Sequence, residues 1–464
     1  MDQHPTLDSA RASFPALRAR LGRLDPTGAL VVAALSVFAV RAVLLLAVIP
    51  PWQQPDEPAH VSMAAVARSW SLQEEMADVG RQSEILRSLA RYDWWRYYEA
   101  EAPVPVPRVF SEAGPTLRSD PMVAYRFRNP YYRTVGFLLA QLPSLTVEQT
   151  LHLMRGASAF FGLLTLLAAW RGARLCLGAE GGAGVTALLA LHSQFAVVAT
   201  TAGPDAAVNL LGACVWWQVA AAARRCSVVP VASLLLAGLA AAMIDRAGEP
   251  LALTACLAAA VLTLAPGSGL GRPIKAALAG AAVLTLGTAW WQRPFLSWAL
   301  LSDLDRLQSY LTPVNWGYLP RFLSLLFQSW WASYGWLKYL PPWWWLTVAL
   351  MVSGTAALGL ARVIRHRVAP IEAWRARRNW LAVALVGFIV QVLAVFWAFF
   401  REETAAQGRY LLPWLVPTLL LLWVGVEARL STRLRPYAGV GLVALFALLD
   451  VTALGFVALP AFAR

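Results

Sequence analysis

The sequence predicts an all-α, polytopic integral membrane protein with about 11 transmembrane helices. Hydrophobic residues make up 58% of the 464 positions and charged residues only 14%, whereas roughly a quarter of the residues in soluble domains are charged. Apolar runs recur along the chain, each long enough to cross about 30 Å of hydrocarbon. Many of the 22 tryptophans lie near the ends of these runs, where their amphipathic rings rest at the headgroup level.

The apolar runs give the predicted spans in order. The first, 29–49, follows a basic cytoplasmic segment, residues 1–28. At about 20 residues it is too long for the core of a signal peptide, so we expect an uncleaved span. We treat 29–464 as one transmembrane domain. The later spans are predicted near 151–170, 184–202, 206–223, 228–245, 250–265, 274–291, 343–361, 379–400, 410–426 and 437–460.

The loops between spans are alternately rich and poor in arginine. The densest basic loop runs from Arg362 to Arg378, whereas the short loops of the other set contain only Arg246, Arg401 and Arg409. Because positively charged loops face the cytoplasm, we expect the N-terminus in the cytoplasm and the arginine-poor loops on the extracytoplasmic side. The net charge of +13 therefore indicates orientation in a bilayer, and we expect no nucleic acid partner.

Two long segments are predicted on the extracytoplasmic side, a first loop at 50–150 and a second at 292–342. The first contains an amphipathic helix near 82–99, which we expect to lie in the membrane interface. The second is rich in tryptophan, and we expect it to be interfacial or re-entrant. Most of the acidic residues lie in these loops or at the same ends of the spans. The pattern predicts that the protein acts outside the cytoplasm.

The first loop opens with the most informative motif, Pro55-Asp56-Glu57-Pro58-Ala59-His60. Of two adjacent carboxylates, one can act as a general base while the other holds a metal ion or an acceptor hydroxyl. A structural alternative is that the acids stabilise the first turn of a following helix. If a divalent cation such as Mg or Mn is used, Asp56 and Glu57 are its candidate ligands, and His60 is their neighbour.

Other polar residues stand at the predicted outer ends of spans. Arg409 begins a span, where a guanidinium can bind a lipid phosphate through two hydrogen bonds. The alternative is an arginine that anchors the span by reaching the interface. Asp245 and Arg246 form an ion pair or a binding site. Asp205 and Asn209, one turn apart, form a helix cap with a polar neighbour or part of a site.

Two charged residues fall inside predicted spans. Arg41 and Asp450 lie at similar depths, eight and ten residues from the outer ends of their spans. An unpaired charge at such a depth costs at least about 2.5 kcal/mol. We therefore predict that Arg41 and Asp450 pair with each other or face a wet cavity.

A series of motifs resembles one known family. The opening motif is followed by Asn129-Pro130-Tyr131-Tyr132, by Arg155, by Gly203-Pro204-Asp205 with Asn209, by Ser329-Trp330-Trp331 with Gly335-Trp336, and by Gln407-Gly408-Arg409-Tyr410-Leu411-Leu412-Pro413. Together they resemble the bacterial domain-of-unknown-function family 2142, which looks like a branch of the GT-C superfamily of membrane glycosyltransferases.

The resemblance implies transfer of a sugar from a polyprenyl-phosphate or polyprenyl-pyrophosphate carrier to an extracytoplasmic glycan, lipid or protein. The bacterial cytoplasmic membrane and cell-envelope polysaccharide biosynthesis are the implied setting. Asp56 would be the general base of an inverting reaction, and Glu57 would orient the acceptor or hold a cation. The other implied site residues fall into three groups. The residues implied near the acceptor or a metal ion are His60, Asn129, Tyr131 and Tyr132. Those implied to bind the carrier phosphate are Arg409, Arg401 and Arg246. Those implied to bind the sugar or the lipid are Trp331, Trp336, Gln407, Tyr410 and Asp205.

Two other classes of function remain open from the sequence. A transporter or flippase of an anionic lipid or glycan usually has two matching halves with broken helices, and the sequence has no such symmetry. A non-catalytic subunit of a membrane complex would use the tryptophan-rich outer loops as a docking surface. The order of the motifs favours the enzyme.

Overall fold

The computed structural model describes residues 25–66, 79–98, 101–112, 129–142, 145–264, 268–291, 315–366, 371–400 and 406–462. Within these ranges the chain is all-helical, and its single β-type pairing is a bridge between Tyr334 and Tyr339. The α-helices are α1 (Pro26–Val48), α2 (Glu57–Val66), α3 (Val79–Arg91), α4 (Pro130–Ala140), α5 (Val147–Leu191), α6 (Ser193–Val198), α7 (Asp205–Arg224), α8 (Val228–Ile244), α9 (Glu249–Leu264), α10 (Arg272–Trp291), α11 (Leu319–Trp331), α12 (Trp343–His366), α13 (Ile371–Phe399), α14 (Leu415–Arg429), α15 (Ala438–Ala453) and α16 (Leu459–Phe462).

Apolar helices dominate the described chain, as expected for a membrane protein. Seven are long and apolar enough to cross a bilayer, and α8 and α9 are shorter apolar helices. The predicted number of spans, about eleven, goes beyond these seven helices and stays a prediction. The seven segments are Pro26–Val48, Val147–Leu191, Asp205–Arg224, Trp343–Arg365, Asn379–Trp397, Gly408–Arg429 and Arg435–Phe462.

Helix α5 contains a sharp break at Gly178, whose φ of +81° and ψ of −174° are not helical. A Cβ atom added at Gly182 would lie 2.7 Å from the backbone nitrogen of Arg174. Residues eight apart in a straight helix are separated by about 12 Å. The chain therefore reverses direction at Gly178, between the predicted spans 151–170 and 184–202.

Small residues bring several helices into backbone contact. A Cβ added at Gly212 of α7 would collide with the carbonyl of Pro413, and one added at Gly359 of α12 would collide with that of Gly425. Such close approaches are typical of helix packing in membranes, where small residues let dispersion contacts form along the whole interface. The turn that contains Pro413 is thereby pressed against α7, which matters for the site below.

The first loop packs onto the rest of the protein through a second apolar cluster. Ile85, Leu86 and Leu89 of α3 are fully buried in this cluster. The indole nitrogen of Trp52 donates to the Ser88 hydroxyl at 2.8 Å and so joins the loop after α1 to α3. The apolar face that was expected to lie in the membrane interface is covered by protein.

The predicted pairing of Arg41 with Asp450 is confirmed. Both side chains are less than 10% exposed, and they form an ion pair between α1 and α15. Arg41 also donates to the carbonyl of Ala190, and the Ser193 hydroxyl donates to Asp450 at 3.0 Å. The helix is interrupted at His192, and this break leaves carbonyls near Ala190 without their usual helical partners. The ion pair lies at the break and satisfies one of them.

Candidate functional site

The opening motif forms a tight turn between α1 and α2. Asp56 has a φ of +62° and Trp52 one of +67°, a left-handed conformation that is rare for residues other than glycine. The turn separates the two adjacent carboxylates into different environments. The side chain of Asp56 is 38% exposed, whereas that of Glu57 is 0% exposed.

Glu57 is held by Arg155 of α5. The guanidinium donates to the carboxylate through Nε at 2.7 Å and through Nη2 at 2.8 Å. It also donates to the carbonyls of Ile49 at 2.8 Å and Pro50 at 2.9 Å, and the backbone nitrogen of Ala202 donates to Glu57 at 3.2 Å. A buried charge pair is tolerated when its remaining donors and acceptors are satisfied in this way. The pair fixes the turn that carries Asp56, so the contacts of Glu57 fit a positioning role.

Arg409 reaches Asp56 from a short 3-10 helix, Gly408–Trp414. The backbone nitrogen of Gly408 donates to the Ser329 hydroxyl of α11 at 2.7 Å. A Cβ added at Gly408 would collide with the backbone of Trp330, so only glycine fits here. This contact sets where the next residue, Arg409, leaves the backbone.

The guanidinium of Arg409 is the centre of the site. It is 5% exposed and forms an ion pair with Asp56. A second carboxylate, that of Asp205 in the first turn of α7, lies 3.5 Å from Nη1. Nη2 also donates to the hydroxyl of Tyr410 at 3.1 Å, and the guanidinium lies 5.0 Å from the centre of that ring. Among the residues that the structure describes, Nε of Arg409 has no hydrogen-bond partner, so one buried donor remains available to a ligand.

A small cavity adjoins Arg409 and Asp205. Its volume of about 10 Å³ corresponds to a single water molecule. A phosphate or a sugar ring therefore requires the side chains around it to move apart. Two further residues that were expected to bind sugar or lipid, Trp336 and Gln407, line this cavity.

Trp331 lies elsewhere, in the apolar core. It is 2% exposed and packs against Phe446 with ring centroids 5.4 Å apart. Its plane is nearly parallel to the imidazole of His192, at a centroid distance of 6.0 Å. The indole is thus enclosed by other rings of the core, whereas Trp336, five residues later, reaches the cavity.

The four residues expected near the acceptor form hydrogen bonds next to the opening motif. His60 Nδ1 shares a hydrogen bond with the hydroxyl of Tyr132. Asn129 caps α4 by accepting from the backbone nitrogen of Tyr131 at 2.9 Å, and it donates to the carbonyl of Ile244. Burial raises the pKa of Tyr131, so this phenol stays protonated. These contacts join α4 to α2 and α8.

Two residues expected on the carrier phosphate, Arg401 and Arg246, have side chains outside the part of the chain that the structure describes. Arg401 lies outside the described residues. The backbone of Arg246 belongs to a short 3-10 helix, Arg246–Gly248, and its side chain is outside the described part.

The carboxylates of Asp56 and Glu57, the candidate cation ligands, each contact a different arginine. Glu57 accepts from Arg155 through both oxygens, and Asp56 pairs with Arg409. Within the described ranges, no three His, Cys, Asp or Glu side chains come together in a metal-binding group. The carboxylates of the motif are thus arranged toward two different guanidinium groups.

Sequence reasoning missed Gln194, which lines the cavity. Its side-chain oxygen accepts from the backbone nitrogen of Ser333 at 2.7 Å and from the hydroxyl at 3.0 Å. These bonds hold the segment after α11 against the break between α5 and α6. The signal was present in the sequence, because His192-Ser193-Gln194 is a polar triplet inside an otherwise apolar run.

The site thus combines a partly exposed carboxylate, a buried guanidinium and a second carboxylate at a helix N-terminus. It lies where α1 ends and where the apolar segment Gly408–Arg429 begins. No protein-family model matches this chain, and no curated protein matches its sequence.

Proposed function

We propose that the chain is an inverting glycosyltransferase that uses a polyprenyl-phosphate or polyprenyl-pyrophosphate sugar. The observation that carries this proposal is the contact between the partly exposed Asp56 and the buried Arg409. A base and an anion-binding group are the two elements that transfer from a phosphate leaving group requires. Arg409 lies at the start of the membrane-length apolar segment Gly408–Arg429, and Asp56 lies in the turn that follows another, Pro26–Val48. The headgroup of a lipid-linked donor would lie at this level.

In the proposed reaction, the carboxylate of Asp56 accepts the proton of the acceptor hydroxyl. The hydroxyl oxygen forms a bond to the anomeric carbon of the sugar as the bond from that carbon to the carrier phosphate oxygen breaks. The electron pair of the broken bond stays with the phosphate, and Arg409 stabilises the added negative charge. A single displacement of this kind inverts the configuration of the anomeric carbon.

The ion pair implies an order of events. A carboxylate that is paired with a guanidinium is a weaker base than a free one. A donor phosphate competes with Asp56 for Arg409, and its binding releases the carboxylate toward the acceptor. The donor therefore binds before the base becomes active, and the small cavity opens in the same step.

The remaining parts of the proposal follow from the family resemblance described above and, for the side of the membrane, from the predicted orientation. The acceptor is an extracytoplasmic glycan, lipid or protein, and the chain works in the bacterial cytoplasmic membrane with its N-terminus in the cytoplasm. Glu57 and Arg155 position Asp56. Trp336, Gln407, Tyr410 and Asp205 are the side chains that surround Arg409 and are placed to meet the sugar or the carrier.

Mass spectrometry of lipids that copurify with the protein is the first test. We expect a polyprenyl-phosphate sugar in the wild type and its depletion in Arg409→Ala. Asp56→Asn should retain the lipid but transfer no sugar to acceptors in membranes. Glu112→Gln, an exposed acid in the first loop, is the matched control and should behave as the wild type. Full transfer by Asp56→Asn, with wild-type amounts of folded protein, would remove Asp56 from the mechanism.

A further inference from the structure

A second and larger cavity lies beside the Arg409 site. Its volume is about 740 Å³, within the range of small-molecule and lipid sites. It is bordered by Arg96 of the first loop, by Lys338 and Trp344, and by Phe456 and Pro460 near the C-terminus. None of these residues belongs to the site described above.

The cavity has a cationic end and an apolar wall. Lys338 Nζ donates to the backbone carbonyl of Arg96 at 3.1 Å, so the two basic residues lie together. The apolar wall is open, since Phe456 is 73% exposed and Trp344 is 41% exposed. The described residues that line the cavity include no Asp or Glu. This combination matches a molecule with an anionic head and an apolar chain.

The apolar wall has an irregular backbone. Residues Leu454–Ala458 form a π-helical segment between α15 and α16. Such wider turns are rare and occur often at functional sites. Phe456 belongs to this segment, and Pro460 follows it on α16. The widened turn thus coincides with the most exposed apolar ring of the cavity.

A strained turn separates this cavity from the Arg409 site. Tyr334 and Tyr339 exchange backbone hydrogen bonds of 3.0 Å and 3.1 Å. Between them, Trp336 and Leu337 have φ values of +57° and +67°, a conformation that costs energy for residues other than glycine and persists at functional sites. Trp336 and Leu337 line the Arg409 cavity, whereas Lys338 and Tyr339 line the larger one.

The basic end is also connected to the opening motif. Arg96 Nη2 donates to the side-chain oxygen of Gln53 at 2.9 Å, and Gln54, the next residue, lines the Arg409 cavity. Arg96 therefore contacts the residue next to one that forms the wall of the Arg409 cavity. A phosphate bound at Arg96 would lie close to that wall.

We propose that the larger cavity binds a lipid that carries a phosphate on an apolar chain. The phosphate is held by Arg96 and Lys338, and the chain lies along Phe456 and Pro460. The identification of this lipid with the polyprenyl donor rests on the proposed function, in which Arg409 then receives the phosphate across the Trp336 turn. An anionic phospholipid has the same chemistry, and the experiment distinguishes the two sources.

Binding of a polyprenyl monophosphate to purified protein in neutral detergent, followed by native mass spectrometry, tests the site. We expect affinity to fall about tenfold in Arg96→Gln/Lys338→Gln, because each basic residue near a headgroup contributes to the attraction. Ala461→Trp fills the apolar part of the cavity, leaves both cations in place, and should weaken binding to a similar extent. Arg87→Gln, an exposed arginine of α3, is the matched control.

Competition by phosphatidylglycerol identifies the source of the lipid. If the polyprenyl monophosphate is preferred at equal concentration, the site belongs to the carrier. Equal displacement by phosphatidylglycerol assigns the site to bulk anionic lipid and separates it from the donor. Wild-type affinity in both the double variant and Ala461→Trp overturns the site itself. The readout is binding, so a chain that lacks transferase activity would still give these results.

Discussion

Glu57 and Arg155, 98 residues apart in the chain, form a bidentate ion pair whose two side chains are 0% exposed. Arg155 also reaches the carbonyls of Ile49 and Pro50, so a single guanidinium holds both the end of α1 and the start of α2. Of two adjacent carboxylates, one is thereby fixed in the interior and the other is turned toward Arg409. This division of roles is the basis of the first prediction.

Glu57→Gln should destabilise the protein severely. The amide cannot neutralise Arg155, and removing one partner of a buried ion pair costs about 3–5 kcal/mol. The expected result is a large drop in the thermal midpoint of detergent-solubilised protein, measured by size-exclusion fluorescence. Glu112→Gln makes the same chemical change at an exposed position and should leave the midpoint unchanged. A normal midpoint in Glu57→Gln would contradict the structural role of the pair.

Arg41 and Asp450 should show strong coupling in a double-mutant cycle. Each single alanine substitution leaves a buried charge without its partner, at a cost of about 3–5 kcal/mol. The double substitution removes both charges and should cost less than the sum, with a coupling energy of about 0.5–3 kcal/mol. Free energies of unfolding in mixed detergent micelles measure the cycle. Additive losses would show that the two charges are stabilised independently.

Helix type, apolar class and the pairing of Arg41 with Asp450 could be predicted from the sequence. Depth in a span is set by counting residues, and an unpaired charge in hydrocarbon is costly, so two charges at one depth indicate a pair. The partner of Arg155 could not be predicted in this way, because it lies in a loop whose path is not set by the bilayer. The environment of the apolar face of α3 could not be predicted either, since an amphipathic helix has the same sequence pattern whether protein or lipid covers that face.

The site itself could be predicted in part. The family resemblance predicted that Asp56 and Arg409 belong to one site, and the two residues do form an ion pair. The same reasoning did not distinguish Trp331, packed in the core, from Trp336, which lines the cavity. Both lie in one aromatic segment, and their different positions depend on the left-handed turn at Trp336 and Leu337. Tryptophan and leucine rarely adopt this conformation, so the turn could not be predicted from them.

Gly408→Ala should disturb the site without touching a charge. A methyl group at this position collides with the backbone of Trp330, and overpacking of this kind costs about 1–3 kcal/mol. The collision moves the turn that carries Arg409, so we expect reduced carrier binding together with a lower thermal midpoint. Gly354→Ala, in α12, is the control because nothing lies within 4 Å of the added carbon. Wild-type carrier binding by Gly408→Ala would mean that the turn tolerates displacement.

Asp56→Asn should strengthen the binding of a carrier phosphate while it abolishes transfer. In the resting protein Asp56 competes with the phosphate for Arg409, and the neutral amide removes this competition. Because the Asp56 side chain is 38% exposed, the pair is partly screened, and a gain of up to about fivefold in affinity is expected. Titration of polyprenyl monophosphate into purified protein measures the gain. Glu112→Gln, which neutralises an exposed acid of the same loop, serves as control and should have no effect. Weaker binding by Asp56→Asn would mean that the carboxylate helps to hold the ligand, and donor binding would then not be the step that releases the base.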